Sequence, residues 1–134
     1  MRRGVRMVEV GFPGRAAFDS AFSRALLEAV ATGAAPETFR LYQPDDVLAF
    51  SGVDAATAGF REAVAAARAA GFEPALRLAG GRAAVFHRET LAFAWTIPAP
   101  ESREGIHARF AEIAAIVAAA LRRLGIDARI GEVP

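Results

Sequence analysis

A chain of 134 residues, 54% hydrophobic and 23% charged, is one domain's worth of globular protein with room for a single buried core. Its net charge is +1, its 16 basic residues are all arginine, and no basic stripe interleaved with aromatics stands out, so nothing points to a nucleic-acid partner. Cysteine is absent, which excludes disulfides, thiolate metal ligands and a cysteine nucleophile within the chain; no run approaches the roughly 20 apolar residues that span a bilayer, and none follows Met1-Arg2-Arg3 to make a signal peptide, so no membrane association and a cytoplasmic location are expected.

Arg6 to Val10 predicts a short first strand closed by Gly11, Pro13 and Gly14. Phe18, Phe22, Ala25, Leu26, Ala29 and Val30 recur at helical spacing and predict a helix from about Arg15 to Thr32, with Gly33 just past its cap. Glu37 to Gln43 predicts a second strand, with Phe39 and Leu41 on one side and Arg40 and Tyr42 on the other. Pro44-Asp45-Asp46 has turn composition rather than that of a catalytic carboxylate pair, and Val47 to Ser51 returns as a third strand, which predicts a hairpin. Asp54 is placed to cap a helix from about Ala55 to Ala70, with Phe60, Val64 and Ala67 facing inward and Gly71 ending it.

The stretch from Leu76 to Trp95 predicts strand, glycine turn, strand, turn and strand, a small meander. Leu76 and Leu78 alternate with Arg77 at period two, Gly80 and Gly81 break the run, and Leu91, Phe93, Trp95 and Ile97 alternate with Ala92, Ala94 and Thr96. Pro98-Ala99-Pro100 then blocks further pairing. Ile106, Phe110, Ile113, Val117, Leu121 and Leu124 step by three or four residues and predict a helix from about Arg103 to Leu124, capped by Ser102 and followed by Gly125, with Ile126 to Val133 as a last strand. Strand groups separated by helices argue for an α+β fold with a mixed, largely antiparallel sheet, one domain over 1–134.

A Gly-Gly pair between strands is by itself commonly only a turn, and it is no dinucleotide fingerprint because no helix N-terminus follows it. Arg77 reads either as an outward, exposed arginine or as a planar fork pairing with a phosphate or carboxylate. Arg82 reads as solvated or as sharing that charge, and His87 as a strand-end polar residue or a ligand contact. His107 lies off the helix's apolar stripe and is assigned to solvent. Two histidines and no cysteine make a protein zinc site unexpected, no Ser/His/Asp order suggests a hydrolase, and Phe93 and Trp95 are assigned to the core, or one of them to lining a ligand tunnel.

The run Arg77 to His87, with the apolar strand Leu91 to Trp95 beyond it, resembles the signature of the lipoate-protein ligases and the related biotin ligases and octanoyl transferases. That signature is an Arg, two small residues, two or three glycines, then Ala, a β-branched residue, an aromatic or aliphatic residue and His. Phe39-Arg40-Leu41-Tyr42 with Val47 to Ser51 is similar to the family's paired early strands, and the Ile106 to Leu124 helix with Ile126 to Arg129 to its later helix and strand. Two features depart from the pattern: Arg82 is followed by two alanines, so the loop aligns in two registers one residue apart, and Leu78 stands where a second arginine is frequent.

The resemblance implies the N-terminal portion of a biotin/lipoate ligase-like catalytic domain. It implies that Arg77, Gly80, Gly81, Arg82, Ala83, Ala84, Val85, Phe86 and His87 wrap an acyl-adenylate. It further implies activation of lipoate with ATP and Mg²⁺ to lipoyl-adenylate, and transfer of the acyl group to a lysine on a lipoyl carrier domain of 2-oxoacid dehydrogenase or glycine cleavage proteins. The alternatives are an octanoyl transferase working without ATP and a non-catalytic acyl-binding or assembly module of the same fold. The family's catalytic lysine, or the lysine or cysteine of its transferases, comes from a later region than the pattern matched here. With neither residue type present, no catalytic residue is assigned within the chain, and it is expected to be incomplete and inactive alone.

Overall fold

The computed structural model describes residues 4–98 and 105–131, which belong to two compact units, Met1–Pro98 and Ala99–Pro134. In the first, β1 (Arg6–Val8) runs parallel to β2 (Thr38–Tyr42), and α1 (Ala16–Ala31) is the crossover a parallel pair requires. The other edge of β2 takes β6 (Ala92–Thr96) antiparallel, with Trp95 opposite Phe39 and Phe93 opposite Leu41. A second three-stranded sheet repeats the arrangement. Its centre, β3 (Val47–Phe50), runs parallel to β4 (Glu73–Leu76) through α2 (Gly52–Ala55) and α3 (Phe60–Ala69), and antiparallel to β5 (Ala84–Phe86). Two parallel and two antiparallel pairings with helices packed on them make an α+β fold on mixed sheets.

The pairing corrects two sequence expectations. β2 and β3 form no hairpin, because both edges of β2 are taken by β1 and β6. The connection between them passes from one sheet to the other and is pinned at each aspartate. Asp45 accepts from the Gly14 N–H, while Asp46 accepts from the Arg88 N–H at 3.4 Å and offers its carbonyl to the Glu73 N–H at 2.9 Å. β4, β5 and β6 form no meander either, since β3 lies between the first two and β6 is in the other sheet.

The burial follows from strand alternation. Thr38 and Arg40 face α1, and Phe39 and Leu41 the other side. Arg40 is 0% exposed, a burial that is tolerable only with every charge-bearing donor satisfied. All five of its N–H groups are. Nε and Nη2 donate to the Val10 carbonyl at 3.0 and 2.7 Å, Nη1 to the Asp19 carbonyl and to Ser23 Oγ at 2.8 Å each, and Nη2 also to the Asp19 carboxylate. The Tyr42 ring centre lies 3.7 Å from the guanidinium carbon, which adds a cation–π contact. In the second sheet Val47, Ala49 and Ala75 pack with Ala16 of α1, and Phe86 closes over them. No side chain near its own N-terminus caps α1; the Glu73 carboxylate of β4 does so from a distance, accepting from the Ala16 N–H at 3.3 Å.

The helix expected from Ala55 to Ala70 is the shorter α3, and the separate α2 precedes it, ending at Ala55. Ser51 caps α2, its hydroxyl accepting from the Asp54 N–H while the Asp54 carboxylate accepts from the Ser51 N–H, so Asp54 closes a capping box and is not the cap itself. Gly59, in the left-handed region at φ +86°, restarts the chain as α3, and Phe60 meets Phe50 edge to face with ring centres 5.1 Å apart. Phe93 is not a core residue, being 41% exposed.

The second unit holds α4 (Ile106–Arg123), begun by Gly105 at φ +71°. The predicted start at Arg103 and cap at Ser102 lie outside the described residues. Over 126–131 there is no strand. After Gly125 the chain folds back on the end of α4, with the Ile126 N–H donating to the Leu121 carbonyl at 3.1 Å and Arg122 Nε to the Ala128 carbonyl at 3.0 Å. Backbone groups bonded this way are not offered to a sheet.

Candidate functional site

The glycine loop spans 77–83 and carries the chain from β4 to β5 across the C-terminal end of β3. Arg77 stands just past β4 rather than mid-strand, and its N–H continues the ladder by donating to the Phe50 carbonyl at 2.9 Å. Its side chain turns inward on its own loop. Nη2 donates to the Gly80 carbonyl at 2.9 Å and to the Arg82 carbonyl at 2.6 Å, while Nε is buried with no hydrogen-bond partner. A buried donor left unbonded costs free energy, so this is where an additional acceptor would be most welcome.

The two glycines differ. Gly81 lies at φ +87°, where side-chain-bearing residues are strained, and an added Cβ there would sit 3.4 Å from Arg77 Nη2. Gly80 has ordinary backbone and open space around the same position. Arg82 extends from the loop with its side chain 72% exposed, and its Nε lies 3.5 Å from the Asp54 carboxylate, which is only 11% exposed. Bonds from the Ser51 backbone N–H, with the Ser51 hydroxyl and the nearby Arg82 and Arg77 charges, hold the Asp54 carboxyl below its ordinary value. Beside the loop, Phe50, Asp54, Thr57, Phe60, Arg82 and Ala83 line an open cavity of about 280 Å³ whose walls are mostly apolar but include the Asp54 and Arg82 charges.

The rest of the signature runs away from this corner. Ala84, Val85 and Phe86 are β5 itself, with Phe86 against the core and Val85 exposed on the opposite face. Three residues of strand separate the loop from His87 by roughly 10 Å. His87 is exposed in a tight turn: its N–H donates to Thr90 Oγ1 at 3.1 Å, its carbonyl accepts from the Thr90 N–H at 2.8 Å, and its Nδ1 accepts from the Glu89 N–H at 3.2 Å. The neutral ring therefore carries its proton on Nε2. The Gln43 amide donates to the Arg88 carbonyl in the same turn, and nearby Glu9, Gly11, Leu41, Tyr42 and Leu91 border a second open cavity of about 360 Å³. Burial pushes the Tyr42 hydroxyl up, against the opposing effect of the Arg40 charge. The predicted site residues are thus brought together in two groups, Arg77 to Ala83 at one end of β5 and His87 at the other.

Sequence reasoning missed two members of the first group. Ser51 and Asp54 were separated by the reading of Asp54 as a cap, although Ser-x-x-acid before a helix is itself a capping signal. Among the described residues no three histidines, carboxylates or cysteines gather to hold a metal ion, and no helix is long and apolar enough to cross a membrane.

The sequence matches a family model described as the lipoyl protein ligase A/B catalytic domain over residues 15–133. No curated protein matches it. Among solved structures, a T. acidophilum protein described as a lipoate protein ligase, with bound lipoic acid, superposes with a TM-score of 0.79 at 24% identity over 96% of this chain and 51% of that one. A lipoate-protein ligase A bound with ATP gives 0.79 at 23% identity over 96% and 50%. A bi-partite lipoate protein ligase and its E2 lipoyl domain from Thermoplasma acidophilum gives 0.73 at 21% over 98% and 50%. The chain spans about half the length of these structures, and the likeness to them is one of fold.

Proposed function

The chain belongs to the lipoyl protein ligase A/B catalytic domain family, and from that premise we propose that its glycine loop binds the phosphate of an acyl-adenylate formed from lipoate and ATP. One observation carries the reading: a loop bent by Gly81 holds a buried, unbonded Arg77 Nε and leaves the Nη groups of Arg82 without a partner among the described residues. Donors left over in this way fit an oxyanion better than any neutral ligand. The apolar structures around the two cavities supply places for an acyl chain. The relatives bound to lipoic acid and to ATP support the two substrate classes, and the one described with its E2 lipoyl domain supports a lipoyl carrier domain as the acceptor.

In this reading the carboxylate oxygen of lipoate attacks the α-phosphorus of ATP, pyrophosphate leaves, and the acyl group passes later to the acceptor lysine with release of AMP. The residues described here bind and orient. Arg77 shapes the loop and Arg82 faces the phosphate, while backbone N–H groups near Gly81 approach it without a side chain in the way. The compact ammonium ion that the family uses during adenylation has no counterpart, since arginine's broad head is a poor replacement for it. Binding is therefore assigned to this chain and turnover to a lysine from outside these 134 residues. Magnesium accompanying a nucleotide is held largely by phosphate oxygens and water. The carboxylate beside the loop, Asp54, is already engaged by Ser51 and Arg82, so no magnesium site is assigned to the chain and no step is routed through one.

Calorimetric titration with a non-hydrolysable lipoyl-adenylate analogue, alongside ATP–pyrophosphate exchange with lipoate, tests this. Binding of the analogue without exchange is the expected result. A folded chain that binds neither the analogue nor lipoate would overturn the reading, and vigorous exchange by the chain alone would overturn the assignment of the lysine elsewhere.

A further inference from the structure

Arg82 is held at two points. Its carbonyl is bonded by Arg77 Nη2 at 2.6 Å, which fixes the main chain, and its Nε lies 3.5 Å from Asp54 Oδ1, an ion pair that biases a side chain otherwise 72% exposed. The second anchor is itself rigid. Asp54 Oδ2 accepts from both the Ser51 N–H and the Ser51 hydroxyl at 3.0 Å, and Ser51 is fully buried at the junction of β3 and α2. Approach at Nε engages one side of a planar fork and leaves its Nη edge outward, bonded to nothing among the described residues. A flexible arginine in a loop would otherwise sample many rotamers and lose that freedom on binding.

We propose that Asp54 is a positioning residue for the glycine loop, holding Arg82 so that its free Nη edge is already set for an anionic group. The proposal rests on the reading of that loop as the phosphate site, but its first consequence precedes any ligand. Without the Asp54 charge, the backbone of 80–83 should be more mobile in the free protein.

Two measurements on Asp54→Asn, Arg82→Gln and the double variant test it. In ¹⁵N relaxation of the unliganded chain, both single variants should lower the amide order parameters at 80–83 to the same degree, with no further loss in the double. In titration with the lipoyl-adenylate analogue each single variant should weaken binding by about three- to fivefold, the scale of a well-placed but solvent-facing ion pair, and the double no more than Arg82→Gln alone. Lipoate alone should be unaffected. Multiplying effects in the double variant, or equal losses for lipoate and the analogue, would mean that Asp54 acts only by capping α2 and would overturn the proposal. Unchanged order parameters at 80–83 in a folded variant would do the same. If Asp54→Asn fails to fold for want of its cap, Arg82→Gln leaves the Ser51–Asp54 bonds in place and gives the same relaxation readout. If the wild-type chain binds no analogue, the phosphate reading falls, while the relaxation result still decides whether Asp54 holds the loop.

Discussion

Arg77 spends one of its Nη groups on two carbonyls of its own loop, so its first effect is on shape and its charge is delivered from inside the loop rather than from a strand face. The same geometry separates the two glycines. Gly81→Ala should cost about 1 to 2 kcal/mol, because its left-handed backbone disfavours any Cβ, whereas Gly80→Ala should be close to neutral. Equal thermal stability of the two variants would remove the structural reason for a glycine at 81. A second consequence lies at Arg40. Asp19→Ala leaves a buried guanidinium without its counter-charge and should destabilise by about 3 to 5 kcal/mol in urea melts, far more than Ser23→Ala, which removes one neutral acceptor. Comparable losses would show that the pair is not what holds α1 to β2. The sequence put the glycines in the right loop by composition but read Arg77 as part of the strand before it, whereas it stands just past β4 as the first residue of the loop. It could not show where a long arginine side chain would turn, since that depends on carbonyls brought near by folding, and for the same reason Arg40 read as an ordinary strand residue.

Among the elements, α1, β2 and β6 lie within a residue or two of their predicted bounds because helical and strand periodicities are local. Pairing is not local. β2 and β3 are neighbours in sequence with a short link, yet the partners of β2 come from positions 6–8 and 92–96, and the strand expected after α4 gives way to a turn-back in which Leu121 and Ala128 carbonyls take the available donors. The capping box on α2 has a pH signature. The folded carboxyl of Asp54 titrates below its ordinary value of 3.8, so the stability it contributes is complete above that value and is lost as pH falls through the lower folded one. The gap in melting temperature between wild type and Asp54→Asn should therefore be constant at neutral pH and close as the pH is taken down past 3.8. A gap that persists in strong acid, where both forms are uncharged, would assign the effect to something other than charge.

At the scale of the molecule, the fold places the glycine loop at one end of β3 and the His87 turn at the other, so a ligand touching both must lie along β5. The face of the first sheet opposite α1 presents Met7 and Phe93 to solvent, with Phe39 and Phe93 stacked at 5.7 Å; of these periodicity assigned Phe93 to the core, because alternation marks a face without saying what covers it. The signature itself was legible as a contiguous run, whereas its division into two groups was not, since it arises from where β5 begins and ends. The account turns on the loop being the part of this surface that meets the phosphate. Hydrogen exchange with and without the lipoyl-adenylate analogue reads that contact directly: the account predicts protection concentrated at 80–83 with the analogue and absent with lipoate alone, and saturating analogue that leaves those amides unchanged while protecting another surface would contradict it.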